Sequence, residues 1–290
     1  MSYFCSVENA GVFWGNFKGG RRMEGKKLNG YADYHVHTSF SDDCKCPMQE
    51  IILRGIELGL DEICFTEHVD YGDEDRTQCD YSRYVQTLQK MKEEYGEKLS
   101  LKFGIEFGVQ ESTAEIFEKD IEKWPFDFVI LSNHQVDNKT FWNYKFQEGK
   151  TQEEIHRAYY EGFYRAVKRY KHYSVLGHLD AIKRYDPYGE YPDDKVIDMV
   201  EKILKTIIAD GKGIEINTAC FRYGLKDLTP STRILNLYRE LGGEILTFGS
   251  DTHQASQLAD HFEEARSALK KLGFHKICRY ENMQPIFYEL

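Results

Sequence analysis

No apolar run in this 290-residue chain approaches the roughly 18 to 20 residues that a membrane span needs. The N-terminus also lacks a basic segment followed by an apolar core of the signal-peptide kind, so the expected location is cytoplasmic, with no membrane partner. Positive charge is in deficit, 38 Lys and Arg against 48 Asp and Glu, and the net charge of −10 argues against a broad nucleic-acid-binding face. A local positive pocket remains compatible with that total. The paired CxxC spacing of a zinc ribbon is missing too, since seven cysteines, an odd number, lie scattered at 5, 44, 46, 64, 79, 220 and 278. They read as reduced thiols, and Cys44-x-Cys46 as incidental. Residues 1–30 show no clear periodicity, and Gly19-Gly20-Arg21-Arg22 reads as a breaker. The expected division is an N-terminal extension, 1–30, with Met23 an alternative start, and a folded domain, 31–290.

What is present is organised around Asp33-Tyr34-His35-Val36-His37-Thr38-Ser39-Phe40-Ser41-Asp42-Asp43. In an extended backbone His35 and His37 share a side and Val36 faces away. Two imidazoles held in that way can grip one metal ion, and the carboxylates that follow supply harder oxygen ligands. Alone, His-x-His is a weak signal. It gains weight from a set of His and acidic residues recurring at similar places down the chain.

From Tyr31 onward short apolar strands alternate with helical stretches. Tyr31 to His35 is the first strand, and Pro47 opens a helix that Gly59 ends. Later strands close on Glu67-His68, on Glu106, on Ser132-Asn133-His134, on His178-Leu179-Asp180, on Asn217-Thr218 and on Ser250-Asp251-Thr252-His253. The intervening helices are expected near 81–95, 113–123, 152–170 and 194–209, from Pro230-Ser231 onward, and over 255–272, with a strand-like piece at 278–280. Seven strand-then-helix units predict an α/β fold, a distorted (β/α)7 TIM-like barrel. The chemistry of such barrels lies at the C-terminal ends of the strands. Six of the ten histidines (His35, His37, His68, His134, His178, His253) fall there, together with Glu106 and Asp251. The other four, His156, His172, His261 and His275, read as solvated or structural.

In order, these motifs resemble the PHP (polymerase and histidinol phosphatase) metallophosphoesterases over about residues 31–255. HVHTSFSDD, the FTEH segment, GHLDAIKRY and NTACFRYG look most like the monofunctional histidinol-phosphatase branch. The resemblance implies two to three divalent ions, Zn, Fe or Mn. His35, His37, Glu106 and Asp251 would hold the first, and Glu106 would bridge to a second held by His134 and His178. His68 and His253 would hold a third, beside Asp43, which stands where many relatives carry histidine.

Clustered divalent cations acidify a bridging water, giving hydroxide in line with a phosphate ester. The ester also needs directional donors, for which Arg184 and Arg222 are the candidates and Lys183 a weaker one. Asp251 or His253 is the expected acid for the leaving alkoxide. Glu67 is a support for His68, a contact to the substrate or a surface carboxylate, Asp180 a partner for His178, and Trp142, Tyr144 and Phe146 either a cap for an imidazole-bearing substrate or loop packing. The implied activity is hydrolysis of L-histidinol phosphate to L-histidinol and phosphate. The alternatives are another phosphate ester (nucleotide, phosphotyrosine or sugar phosphate) and a catalytically inactive metal-binding module.

Overall fold

The computed structural model describes residues 27–72 and 78–290. Most of the expected extension, with its alternative start, lies outside the described residues. Its last residues join the barrel, since Leu28 is buried and its N–H donates to Leu58 O at 2.7 Å.

Seven parallel strands make the expected barrel, in the order β1 (Ala32–Val36), β2 (Glu62–Asp70), β3 (Ser100–Gly108), β4 (Phe128–Ser132), β7 (Val175–Leu176), β8 (Gly213–Asn217) and β9 (Leu246–Gly249). Between β4 and β7 sits a small antiparallel ribbon, β5 (Gln135–Val136) and β6 (Lys139–Thr140). The ring nearly closes where β1 meets the end of β9, through His37 N to Thr252 O at 2.9 Å and Thr252 N to His35 O at 3.2 Å. Helices α1 (Met48–Leu58), α2 (Tyr81–Tyr95), α3 (Ala114–Lys123), α4 (Gln152–Arg169), α5 (Ile197–Ala209), α6 (Ala219–Arg222), α7 (Thr232–Glu240) and α8 (Phe262–Lys271) fill the crossovers. Their boundaries carry the usual chemical stops. Thr151 and Glu154 form a capping box at α4, Ser231 caps α7, and Gly59 takes a left-handed φ of 71° after α1. Among the described residues no helix is long and apolar enough to cross a membrane.

Strand alternation divides the barrel into an outer and an inner set of side chains. Ile63, Phe65, Ile105, Phe107, Val129, Leu131, Ile214, Ile216, Leu246 and Phe248 belong to the large core shared with the helices. Inside the ring, Ala32, Tyr34, Cys64, Phe128, Ile130 and Val175 form a second apolar cluster that Cys278 and Tyr280 complete. Those last two come from a C-terminal hairpin, β10 (Lys276–Glu281) and β11 (Gln284–Glu289). The single strand-like piece expected at 278–280 is therefore half of a hairpin. Tyr280 N donates to Tyr34 Oη at 2.7 Å, so the hairpin closes the end of the barrel away from the histidines.

One irregularity sets the direction of the site. Ala32 and Tyr34 face the inner cluster, whereas Val36 belongs to the outer core, so the alternation changes phase between them. The register of β1 against β2 shifts between Asp33 and Val36, and such a bulge re-aims the side chains that follow it. Without it His35 and His37 would point at the helices.

The helix expected over 255–272 is broken: a short 3-10 turn at Ala255–Gln257 precedes α8, with Ala259 and His261 at positive φ. The cause is Asp33, a fully buried carboxylate that accepts from Ala259 N at 2.9 Å and from Ser250 N at 3.0 Å. Satisfying that carboxylate outweighs continuing the helix.

Phe128 is fully buried and meets Tyr34 edge-on and Tyr280 at ring-centre distances of 4.9 Å. Phe128→Ala is expected to cost about 3–5 kcal/mol of unfolding free energy by chemical denaturation. A loss under about 1 kcal/mol would contradict a tightly filled barrel interior.

Candidate metal centre

The inner positions above the apolar layer are polar, and they converge on Glu106, which is completely buried. Its Oε1 lies 3.0 Å from His178 Nε2 and 3.2 Å from His134 Nε2. Its Oε2 lies 2.7 Å from His68 Nδ1, 3.3 Å from His35 Nε2 and 3.6 Å from His37 Nε2. Asp251 Oδ1 completes the array at 3.7 Å from His35 Nε2 and 3.6 Å from His37 Nε2. Asp43 Oδ2 sits between His253 Nε2 at 3.1 Å and His68 Nε2 at 3.5 Å, the place the sequence resemblance gave it.

These spacings fit cations. Two ligands of a tetrahedral ion, each about 2.0–2.2 Å away, stand about 3.3–3.6 Å apart. Four of the nine separations above have that length, and those of 3.1, 3.2 and 3.7 Å lie close to it. His35 Nε2, His37 Nε2 and Glu106 Oε2 are moreover buried without a hydrogen bond, although they lie close together. Leaving each such atom unsatisfied costs about 1–3 kcal/mol, which coordination would offset. Four donor sets emerge: His37, His68, His253; His35, His178, Asp251; His35, His37, Glu106; and His68, Glu106, His134. They share members, so the donors form one continuous cluster.

A second layer of carboxylates orients the rings. Glu215 Oε1 lies 2.5 Å from His35 Nδ1, and its Oε2 accepts from His178 N at 2.8 Å. Asp70 Oδ2 lies 3.0 Å from His134 Nδ1. Ser41 Oγ bonds His37 Nδ1 at 3.2 Å and donates to Glu67 at 2.6 Å. Fixing one ring nitrogen turns the other toward the cluster. Two glycines make room for these carboxylates. A Cβ on Gly249 would stand 1.9 Å from Glu215 Oε1, and one on Gly108 would stand 1.8 Å from Asp70 Oδ1.

The electrostatics follow from this crowding. Burial favours neutral His35, yet Glu215, Glu106 and Asp251 lift its pKa well above the ordinary value. Burial likewise opposes charge on His134, and Asp70 with Glu106 pushes it up to about 10. His37 moves the other way, well below the usual range, because it is buried beside His68 and His253. Despite burial, the surrounding imidazoles hold Glu106 and Asp251 far below the usual carboxylate range. Charge on His35 and His134 thus balances the carboxylates while His37 stays neutral, and a cation binding at the charged rings must displace their protons.

Both arginines reach the site. Arg184 donates from Nη1 to Asp251 Oδ2 at 3.3 Å and from Nη2 to Asn217 Oδ1 at 3.0 Å, and its guanidinium stacks 4.4 Å from the Tyr223 ring centre. Arg222 closes α6 instead of lying on a loop, and its Nη2 donates to Ser250 O and Asp251 O, each at 2.8 Å. Arg184 Nε and Arg222 Nη1 are buried donors without partners. A cavity of about 620 Å³ opens over His68, His134, His178, Asp251, His253 and the two arginines.

Several secondary expectations are corrected. Asp180 does not orient His178; it accepts from Lys183 Nζ at 2.8 Å and Ser231 N at 3.0 Å. Lys183 is also paired with Asp193 at 2.7 Å, which removes it as a phosphate ligand. Glu67 neither bonds His68 nor lies at the surface: it is fully buried on the outer side of β2 and accepts from Thr38 N at 2.9 Å and Thr38 Oγ1 at 2.6 Å. Of the loop aromatics, Phe146 is buried and Tyr144 lies away from the cavity, which only Trp142 of the three lines. Of the two readings of His156, the structural one holds: it is buried, 2.7 Å from Asp186. Asp70, Glu215 and Asn217 were missed. Strand parity puts Glu215 and Asn217 on one face of β8 and Asp70 in phase with His68, which was the available signal.

Comparison with known proteins agrees with this geometry. The PHP domain is recognised over residues 33–219. The chain is 32% identical over 263 residues to the histidinol-phosphatase of Lactococcus lactis, covering 87% of this chain and 95% of that one. It is 30% identical over 244 residues to a probable histidinol-phosphatase of Thermotoga maritima, covering 83% and 92%. The crystal structure of the Lactococcus lactis histidinol phosphate phosphatase, complexed with zinc, L-histidinol and phosphate, superposes with a TM-score of 0.82 at 30% identity, covering 88% of this chain and 98% of that one.

Glu215→Gln is expected to lower zinc affinity by about 10- to 100-fold in chelator competition, because His35 loses the carboxylate that aims it. Affinity within twofold of the parent would show that His35 needs no such partner.

Proposed function

The chain belongs to the PHP family, and from that membership we propose that it is a metal-dependent phosphomonoesterase that hydrolyses L-histidinol phosphate to L-histidinol and phosphate, a step of histidine biosynthesis in the cytosol. The observation that carries the reading is the convergence of six imidazoles and three carboxylates beside two guanidinium groups with unpartnered N–H donors. A phosphate monoester is a ligand that needs both halves of that arrangement. The Lactococcus structure, with its zinc, L-histidinol and phosphate, supports the substrate.

Two to three divalent ions, zinc, iron or manganese, would be held by His35, His37, Glu106, His134, His178 and Asp251, with His68, His253 and Asp43 at the outer position. When bound, such cations supply Lewis acidity to the phosphoryl oxygens and acidify water. Arg184 and Arg222, both of which line the cavity, bind the phosphoryl group through their guanidinium groups, Arg184 held planar against Tyr223. Asp251 is ill suited to deliver a proton, since its Oδ2 already accepts from Arg184 and Asn217 and its Oδ1 faces two imidazoles. That leaves His253, partly exposed at the cavity wall with Nδ1 3.1 Å from Asp251 O, to protonate the leaving alkoxide from Nε2 when only the two inner cations are bound and that nitrogen holds none.

Phosphate release from a panel of esters after metal loading tests the assignment. Histidinol phosphate is expected to give the highest kcat/KM, and preference for a nucleotide, a sugar phosphate or phosphotyrosine would refute it. No hydrolysis of any ester by the metal-replete protein would point to a binding module. Arg222→Ala is expected to raise KM about 10- to 100-fold, the worth of a charge-assisted hydrogen bond, with the metals retained.

A further inference from the structure

The cavity is far larger than a phosphoryl group requires, and it falls in the roughly 300–1,000 Å³ range of sites that enclose a whole small molecule. Its charged floor is accounted for above, but its wall is aromatic: Phe141, Trp142, Tyr185 and Tyr223. Three of these rings have partners. Phe141 is buried against Phe146 and Tyr159 at 4.9 and 5.3 Å, Tyr185 lies 6.4 Å from Phe141, and Tyr223 supports Arg184. Among the described residues Trp142 alone of the four meets no aromatic ring or cation, and it is 53% exposed.

That exposure does not come from a loosely held loop. Gln147, itself buried, donates from Nε2 to both Phe141 O and Tyr185 O at 3.0 Å, fastening the backbone beside Trp142 to the segment that carries Arg184. Phe141 and Phe146 anchor the loop in the core on either side. The indole is thus presented at the mouth on a fixed backbone, with a large apolar face in water. An aromatic so placed gains free energy when a flat ring covers it.

We infer that Trp142 is the residue that selects ring-bearing substrates, its indole stacking on the imidazole of the phosphate ester while the phosphoryl group sits between the cation cluster and the arginines. This assignment rests on the substrate reading above. It gives the two exposed aromatics of the wall different tasks. Tyr223 supports phosphate binding for every ester, and Trp142 acts only on esters that carry a ring.

The test compares L-histidinol phosphate with O-phosphoethanolamine, which keeps the phosphate and the ammonium but has no ring, for the zinc-loaded parent, Trp142→Ala and Trp142→Phe. Trp142→Ala is expected to raise the KM ratio of histidinol phosphate to phosphoethanolamine about tenfold, the worth of one aromatic stack, at parental zinc content, and Trp142→Phe to restore most of it. A ratio that moves less than twofold in Trp142→Ala, or Trp142→Phe behaving like Trp142→Ala, would overturn the role of the indole. A parent enzyme that does not prefer histidinol phosphate would instead defeat the substrate reading, which the same data show separately.

Discussion

A carboxylate buried on the axis of a barrel must be matched by positive charge, and the structure is arranged around meeting that need for Glu106. Five imidazoles lie within 3.6 Å of its two oxygens. Each reaches it from the end of a different turn of the same ring of strands or from the bulged end of β1. Desolvation of a lone carboxylate there would cost several kcal/mol, so the site is stable only with protons or metal ions among the rings. The carboxylates behind the rings, Glu215 and Asp70, then hold His35 and His134 at fixed angles toward Glu106.

The barrel interior is accordingly split into two layers with different tasks. Tyr34, Phe128, Ile130, Val175 and Tyr280 fill one end with apolar volume and exclude water from below. Above them the inner side chains His35, His37, Glu106, Glu215 and Asn217 are polar, and Gly108 and Gly249 leave space for neighbouring carboxylates. The phase change in β1 joins the layers, because it lets one strand give Tyr34 to the lower layer and both His35 and His37 to the upper one. Asp33 sits at the same junction and pins the segments after β9, which places Asp251 and His253 opposite the first two histidines.

Much of this was legible in the chain. Histidines and acids at the ends of apolar runs marked both the seven strands and the mouth at which they meet, because ligand residues must follow strands in a barrel of this kind. All nine expected donor residues do meet there. Other features were hidden because they depend on distant contacts. No local pattern shows that Ala259 must bend to satisfy Asp33, that a C-terminal hairpin closes the barrel, or that Lys183 is claimed by Asp180 and Asp193. Glu215 and Asn217 were readable by parity but were passed over, since the search followed strand ends and Glu215 lies two residues inside one. Glycines 108 and 249 carried a signal as well, a strand residue kept small for a neighbouring carboxylate.

The central claim is that Glu106 is shared between bound cations. Anomalous scattering at the zinc edge from crystals of the zinc-loaded protein tests it most directly. The account predicts at least two peaks, one near each oxygen of Glu106 and each about 2.0–2.2 Å from imidazole nitrogens of the cluster. Zinc found elsewhere on the chain, with no peak beside Glu106, would contradict it.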